Sequence, residues 1–239
     1  MTSYPAKTVL FVVFPDVKLL DLVGPMQVFA DTAHHCDQTY RLIVASLKGG
    51  VVFSDAHLSI DTVALSTLHD LHPDTVIFAG GQGAFAASEN TQFITQAHDL
   101  AAKCRRIGSV CTGAFILAKA GFLNGLRAVT HWEYCDRLRD DFAAVTVEED
   151  QIYIKHGTVW TSAGVTAGID MSLAMVAEDC GRDAALAVAR SLVCYMVRPG
   201  GQSQFSTVLQ QQTQNPAGRF DDLHAWIADN LTANLTVET

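Results

Sequence analysis

The amino-acid sequence predicts an α/β fold, a doubly wound and mostly parallel sheet with helices on both faces. Short apolar runs rich in β-branched residues, such as Thr8–Phe14 and Asp74–Gly80, are typical of strands that are buried on both faces. Segments with apolar residues at helical spacing separate these runs. This alternation predicts parallel strands joined by helices, and a short helix is predicted to follow a linker at the C-terminus.

The first strand and the first helix have the clearest patterns. Thr8–Phe14 is apolar at nearly every position, as expected for a central strand. A helix is predicted over Leu19–Ala33, because Leu22, Met26 and Phe29 recur at helical spacing and would form one apolar face.

Four further elements are predicted up to residue 102. Tyr40–Leu47 is a second strand, and Gly49–Val63 has the turn residues and alternation of a hairpin. Asp74–Gly80 is a third buried strand, and a helix is predicted over Gln92–Ala102.

The next two strands are each predicted to lead directly into a helix. Arg106–Val110 is the fourth strand, followed by a helix over Thr112–Ala120. Arg127–Trp132 is predicted as the fifth strand, followed by a helix over Glu133–Phe142.

The last part of the domain is predicted to be a hairpin followed by two helices. Val145–Gly164 alternates in twos, with turns expected at Glu149–Asp150 and His156–Gly157. Apolar residues at helical spacing predict helices over Val165–Gly181 and Arg182–Val197. We therefore predict one α/β domain over residues 1–197.

The segment after Val197 differs in composition. Residues 198–219 are rich in Gln, Gly and Pro and are predicted to form a linker. A short amphipathic helix is predicted to follow, with four apolar residues along one stripe: Leu223, Trp226, Ile227 and Leu231.

Charge and hydropathy exclude several classes of function. The 239 residues are 49% hydrophobic, which allows one large domain with a small appendage. The net charge of -9 does not suit a phosphate backbone, which requires clustered Lys and Arg. The apolar runs are too short to span a bilayer, and the N-terminus lacks the layout of a signal peptide. We expect a cytoplasmic protein without a membrane partner.

The six cysteines include no C-x-x-C pair and no neighbouring ligand at metal-binding spacing, so neither a metal nor another cofactor is expected. A reducing compartment also disfavours a disulfide framework. Five of the cysteines are interpreted as small buried apolar residues: Cys36, Cys104, Cys135, Cys180 and Cys194.

Cys111 stands where the fourth strand becomes a helix. A sharp strand–nucleophile–helix turn requires small residues two positions before and after the nucleophile, and Ser109 and Gly113 occupy those positions. The amides at the helix N-terminus would favour a thiolate, so Cys111 is expected to be the most reactive of the six thiols. The alternative is a core cysteine at the end of a buried strand.

Three other features could complete a site around Cys111. Gly80 and Gly81 end the third strand and would let backbone amides approach a bound oxyanion. His131 ends the predicted fifth strand, where a doubly wound sheet presents groups to a ligand. Asp21 follows the first strand. The alternatives are a solvated or capping role for His131 and a helix N-cap role for Asp21.

Two segments, Ser109–Trp132 and Trp160–Val176, resemble the ThiJ/PfpI superfamily of class I glutamine amidotransferase-like proteins. The resemblance covers about Thr8 to Val197 and implies a flavodoxin-like fold. Within the superfamily, the chain is similar to the branch that contains isocyanide hydratases and the amidase-like domains of AraC-type transcription regulators.

The resemblance implies roles for the candidate residues. Cys111 would be the nucleophile, Asp21 the acid that faces it, and His131 the histidine that some members pair with the cysteine. Gly81, next to Gly80, and Thr112 would line the anion site.

The acid is Glu in much of the superfamily, whereas this branch has Asp at the position of Asp21, whose shorter side chain changes the distance to sulfur. A charged Asp21 would raise the pKa of the Cys111 thiol, whereas a protonated carboxyl would donate a hydrogen bond to the thiolate.

The tail distinguishes two functions. Arg198–Phe205, the linker and the predicted helix resemble the segment that joins this domain to two helix-turn-helix motifs in AraC-type regulators. Residues 198–239 are therefore predicted to be a linker and the start of a truncated helix-turn-helix domain. The alternative for this tail is a C-terminal helix that docks on a partner subunit. The favoured expectation is a ligand-sensing, homodimeric regulator domain that binds a small metabolite, with DNA bound only through a C-terminal domain absent from this chain. The resemblance suggests small nitrogenous metabolites. The alternative is a cysteine-dependent hydrolase or hydratase, such as an isocyanide hydratase.

Overall fold

A computed structural model describes residues 6–196, 201, 223, 226, 227, 229 and 230. The chain divides into two compact units, Met1–Gln202 and Ser203–Thr239. Most of the predicted linker and Leu231 lie outside the described residues, so the boundary at residue 197 stays a prediction. Within the described part of the chain, no helix combines the length and apolar character that crossing a membrane requires.

An eight-stranded sheet forms the centre of the first unit, in the strand order β3-β4-β2-β1-β5-β6-β10-β9. Only the edge strands β3 and β9 are antiparallel to their neighbours. The ten strands of the described chain are β1 Lys7–Val12, β2 Tyr40–Ser46, β3 Gly50–Phe53, β4 Ser59–Ala64, β5 Thr75–Phe78, β6 Arg106–Val110, β7 Arg127–Ala128, β8 Thr146–Val147, β9 Tyr153–His156 and β10 Val159–Ser162.

Two groups of helices cover this sheet. Helix α1 packs against α6 and α7, and α2 packs against α3 and α4. The α-helices of the described chain are α1 Leu19–Asp31, α2 Gly83–Glu89, α3 Thr91–Ala101, α4 Gly113–Lys119, α5 Cys135–Asp141, α6 Ala167–Cys180 and α7 Arg182–Ser191. The predicted fold class, a doubly wound and mostly parallel sheet, is confirmed.

The predicted fifth strand is wrong as a member of the main sheet. Only its first two residues form a strand, β7, which pairs with β8 in a separate two-stranded sheet. The following residues hydrogen-bond to side chains and loops instead of to a neighbouring strand. The Val129 N–H donates to Thr161 Oγ1 at 2.9 Å, and Thr130 Oγ1 donates to the Cys111 carbonyl at 2.8 Å.

The hairpin predicted over Val145–Gly164 is correct only in its second half. β9 and β10 form the antiparallel pair, and the expected turn contains Gly157 with a φ of +61°. The first half, β8, pairs with β7 instead. β10 joins β6 as a parallel neighbour and so takes the place in the main sheet that Arg127–Trp132 was predicted to fill.

Helix α2 was not predicted. It begins at Gly83, where a Cβ atom would lie 1.8 Å from the Pro15 carbonyl oxygen. This close approach requires glycine, which is a poor helix former, so the sequence pattern there indicates a loop.

The buried carboxylate of Asp179 links the N-terminal ends of β1, β2 and β6 through ion pairs and a hydrogen bond. Its carboxylate contacts Lys7 Nζ at 2.7 Å, Arg105 Nη2 at 2.8 Å and Arg106 Nη2 at 2.5 Å. The Tyr40 hydroxyl donates a hydrogen bond at 2.8 Å. Burial alone would raise the pKa of Asp179, but these hydrogen bonds and cations lower it below its usual value.

Asp179→Asn is predicted to lower the free energy of unfolding by about 3–5 kcal/mol at neutral pH, because Arg106 is then buried without its counter-charge. Since the folded-state pKa of Asp179 is lowered, its contribution is present above the unfolded pKa of about 4 and is lost as the pH falls through the folded value.

Urea unfolding at neutral and acidic pH measures both effects. Glu178→Gln is the matched control, because Glu178 forms a more exposed pair with Lys155 and its loss should cost less than about 1 kcal/mol. Equal losses in the two variants would contradict the role of Asp179.

Candidate functional site

The backbone turns sharply at Cys111, between β6 and α4, with a φ of +54°. Such a φ is unfavourable for a residue with a Cβ atom, so other contacts must hold it. The Cys111 N–H donates to the carbonyls of Ser162 at 3.1 Å and Ala163 at 2.9 Å. Its own carbonyl accepts the hydrogen bond from Thr130. The end of β10 and the segment after β7 therefore fix the turn.

Small residues flank the turn for different steric reasons. A Cβ atom on Gly113 would lie 2.4 Å from the Phe78 carbonyl oxygen, so only glycine fits at the start of α4. Ser109 is fully buried within β6. The strand–cysteine–helix turn expected from the sequence is therefore present.

Asp21 lies in the first turn of α1 and is fully buried. It is not the helix N-cap, which is Lys18. Its Oδ2 accepts the N–H of Gly80 at 3.0 Å, whereas its Oδ1 is buried with no hydrogen-bond partner. A Cβ atom on Gly80 would lie 2.5 Å from this Oδ2 and 2.7 Å from the Cys111 Cβ. Gly80 thus permits the acid and the thiol to come together.

Ionisation of the buried Asp21 carboxyl disfavours ionisation of the buried Cys111 thiol, and the reverse. Burial raises the pKa of Asp21 well above its usual value. Burial, and then the negative charge of an ionised Asp21, raise the pKa of Cys111. A second negative charge is therefore strongly disfavoured, so the pair carries one charge and shares one proton at mildly alkaline pH. A freely formed thiolate beside an ionised Asp21 does not fit this environment.

The glycine amides at the end of β5 are already used within the protein. Gly80 donates to Asp21, and Gly81 donates to Thr112 Oγ1 at 2.8 Å. The Thr112 hydroxyl in turn donates to the Gly81 carbonyl at 2.8 Å. The structure therefore places Gly80 and Gly81 beside the cysteine, with their N–H groups occupied.

Two other amides face the sulfur. Backbone hydrogen bonds from Thr112 and Val165 lower the pKa of Cys111, although less than burial and Asp21 raise it. Val165 was not among the predicted site residues. It precedes α6 with a φ of +38°. A β-branched residue rarely adopts this left-handed conformation, so the sequence does not indicate it.

His131 lies in the loop after β7, not at the end of a main-sheet strand. It caps the 3-10 helix Trp132–Tyr134, and its Nδ1 accepts the N–H of Glu133 at 3.4 Å. A Cβ atom on Gly164 would lie 2.3 Å from His131 Cδ2, so the ring packs directly on that glycine. Burial lowers the pKa of His131, which favours the neutral imidazole. It both caps a helix and faces the cleft.

A cleft of about 190 Å³ opens above Cys111. Gly81, Thr112, His131 and Val165 also line it, whereas Asp21 and Gly80 lie beneath it. Sequence reasoning missed the remaining lining residues, because they come from loops or from polar positions without a motif. They are Lys18, Asp55, Gln82, Glu133 and Tyr134.

The missed residues form two polar contacts at the cleft. Lys18 Nζ lies 2.8 Å from Asp55 Oδ2, and this partner raises the pKa of Lys18. Gln82 Nε2 donates to the Tyr134 hydroxyl at 2.6 Å. Among the described residues, no group of three or more His, Cys, Asp or Glu side chains could hold a metal ion.

The family model described as the DJ-1/PfpI family matches residues 7–178. The chain belongs to the DJ-1/PfpI family. It is 35% identical to the isonitrile hydratase of Pseudomonas putida over 183 residues, 76% of each chain. It is also 31% identical to the HTH-type transcriptional regulator GbdR of Pseudomonas aeruginosa over 161 residues, 67% of this chain and only 43% of the regulator.

Solved structures agree with this DJ-1/PfpI assignment. A THiJ/PfpI family protein from Pseudomonas syringae is 26% identical, with a TM-score of 0.73 over 89% of this chain and 88% of its own. An AraC family transcriptional regulator structure from Pseudomonas putida shares the fold, at 18% identity and a TM-score of 0.67 over 78% of this chain and 99% of its own. The family therefore includes both regulator and hydratase relatives of this chain.

The single charge of the Asp21–Cys111 pair is predicted to lie on sulfur at mildly alkaline pH. Two amides face the sulfur and one faces the carboxylate. A proton on Asp21 Oδ1, which otherwise has no partner, could be donated to the Cys111 sulfur. The far-ultraviolet absorbance of a thiolate should therefore be larger in the wild type than in Cys111→Ser by about one sulfur.

Cys104→Ser is the control, because burial raises the pKa of Cys104 to about 11 and its loss should leave the band unchanged. A wild-type thiolate band that appears only at strongly alkaline pH would place the charge on Asp21 instead.

Proposed function

We propose that this chain is the ligand-sensing, dimerising domain of an AraC-type cytoplasmic transcription regulator and binds a small metabolite in the cleft above Cys111. The similarity to HTH-type regulators carries the proposal. GbdR matches over 43% of its length and GlxA of Rhizobium meliloti over 55%, so the shared part is one domain of a longer protein. DNA would be bound through a separate domain, consistent with a net charge of -9 here.

The cleft supports binding of a small polar molecule. Its volume of about 190 Å³ lies below the roughly 300–1,000 Å³ of sites for drug-sized ligands. Lys18 and Asp55 offer opposite charges on one side, and His131 with Glu133 offers a second polar group. A small metabolite with both hydrogen-bond donors and acceptors fits this lining.

Each predicted site residue has a proposed role in binding. Cys111 would contact the ligand as a thiolate, and Asp21 would hold the displaced proton beneath it. The Thr112 amide would stabilise negative charge at the sulfur or on the ligand. Gly80 and Gly81 would act by allowing close packing, since their amides are already occupied. His131 would form one wall of the cleft.

Hydration of a small isocyanide is the second candidate, favoured by the 35% identity to an isonitrile hydratase and by the intact Asp21–Cys111 pair. The thiolate would attack the terminal carbon, and Asp21 would transfer its proton to that carbon. Water would then displace the thioimidate sulfur and leave an N-substituted formamide, returning a proton to the pair.

The two candidates differ in turnover. Incubation with cyclohexyl isocyanide, followed by NMR detection of the formamide, should show no more product with the wild type than with Cys111→Ser. Cys111-dependent product over many turnovers would overturn the sensor proposal in favour of the hydratase.

Binding of a metabolite should stabilise the fold through the cleft. In a thermal-shift screen of amino acids, betaines and short amides, a binder present at about 100 times its Kd adds about 2.7 kcal/mol. His131→Ala should abolish the shift, whereas His69→Ala, at an exposed position away from the cleft, should retain it. Shifts that survive in His131→Ala would contradict binding at this cleft.

The dimer has a candidate surface on the β3–β4 hairpin. Val51 and Phe53 are more than half exposed, and the β3–β4 register places Val63 on the same face. Helix α1 adds exposed Leu20 and Val23 at helical spacing. The Leu19 N–H donates to Asp55 Oδ1 at 3.0 Å and ties the start of α1 to the hairpin loop. Exposed apolar clusters of this kind favour association.

A Val51→Lys, Phe53→Lys double variant is predicted to convert a homodimer into a monomer, because each subunit would bury two charges at the interface. Light scattering at micromolar concentration measures the mass. Leu186→Lys is the control, since Leu186 is an exposed apolar residue on α7. A wild type with the mass of one chain would contradict the dimer, and a dimeric double variant would contradict this surface.

A further inference from the structure

Four cysteines that the sequence suggested were buried are only partly buried, and two of them share a surface cleft. Cys135 is buried, whereas the partly buried ones are Cys36, Cys104, Cys180 and Cys194. Cys36 and Cys180 both line a cleft of about 320 Å³, together with Asp37, Gln38 and Asp179. This cleft lies beside the start of β2, at the N-terminal ends of the parallel strands, whereas Cys111 lies at their C-terminal ends.

The two thiols come from elements far apart in sequence that the fold holds together. Cys36 follows α1 in a short loop, and its Sγ lies 3.6 Å from the Gln38 carbonyl oxygen. Cys180 is the last residue of α6, and its Sγ lies 4.0 Å from the Tyr40 hydroxyl. Helices α1 and α6 pack against each other, so the loop after α1 that carries Cys36 is held near the end of α6 that carries Cys180.

The sulfur atoms also interact directly. Burial raises the pKa of Cys180 to about 12, and a hydrogen bond and charge interaction with Cys36 contribute to the shift. Cys180 packs against the hydrophobic core, whereas Cys36 does not. Cys36, which lies outside the core, is placed to meet a dissolved oxidant first, and Cys180, which lines the same cleft, is placed to react with the oxidised Cys36.

We propose that Cys36 and Cys180 form a reversible disulfide when the protein meets a peroxide. The Cys36 sulfur attacks one peroxide oxygen, the O–O bond breaks, and a sulfenic acid and water form. The Cys180 sulfur then attacks the sulfenic sulfur, the S–OH bond breaks, and a second water leaves with the Cys180 proton. Two thiols are oxidised by two electrons, and one hydrogen peroxide is reduced to two waters.

The disulfide would link the loop before β2 to the end of α6 and so close a long segment of chain. Such a link restricts the unfolded chain, so the thermal midpoint should rise on oxidation and return on reduction. This inference does not depend on the proposed function, because neither cysteine lines the cleft above Cys111.

The test uses the full chain carrying Cys111→Ser, which removes oxidation at the turn. After treatment with hydrogen peroxide and blocking with N-ethylmaleimide, peptide mapping without reductant should show a Cys36–Cys180 cross-link within one chain. The free thiol count should fall from the five left by this substitution to three and recover with dithiothreitol. Cys36→Ser and Cys180→Ser should each abolish the loss of the pair, whereas Cys104→Ser should not prevent the cross-link.

A sulfinic acid on Cys36 without a cross-link would overturn the proposal. Cross-links between chains, or equal cross-linking to Cys194, would also overturn it. Circular dichroism of each serine variant checks that it folds, and if one does not, the corresponding alanine variant takes its place.

Discussion

The left-handed backbone at Cys111 is the constraint on which the rest of the site depends. A φ of +54° is costly for cysteine, by roughly 1–3 kcal/mol, and persists because the surrounding structure permits no other conformation. The end of β10 accepts the Cys111 amide, Thr130 holds its carbonyl, and Gly113 leaves room for the Phe78 carbonyl. β10, the segment after β7 and β5 thus each hold one side of the turn.

This turn brings the thiol to a buried carboxyl, and burial then decides the chemistry. Asp21 and Cys111 cannot both be ionised, because both side chains are buried and each would repel the other's charge. A pair that shares one proton can donate a hydrogen bond to a ligand from the Asp21 carboxyl or contact the ligand through the Cys111 sulfur. In both cases the net charge of the pair stays the same. The same pair serves binding and hydration alike, so the fold alone does not decide between a sensor and an enzyme.

Hydrophobic patterning predicted the layers of the fold, because runs such as Thr8–Phe14 must be buried on both faces. It failed at Arg127–Trp132, where Thr130 bonds to the Cys111 carbonyl and Val129 bonds to a side chain, interactions that leave no periodic signal. Cys111, Asp21 and Thr112 were found through the turn motif and the resemblance. Val165 and Lys18 were not, since their place in the site depends on loop conformation and on residues distant in sequence.

The protonation of Asp21 tests the shared proton most directly. Infrared difference spectra between the wild type and Asp21→Asn at mildly alkaline pH would show the carbonyl stretch of a protonated carboxylic acid. The same band should be absent in a Cys111→Ser background, because Asp21 then has no thiol from which to take a proton and ionises alone. A wild type that shows only a carboxylate band at this pH would contradict the shared proton.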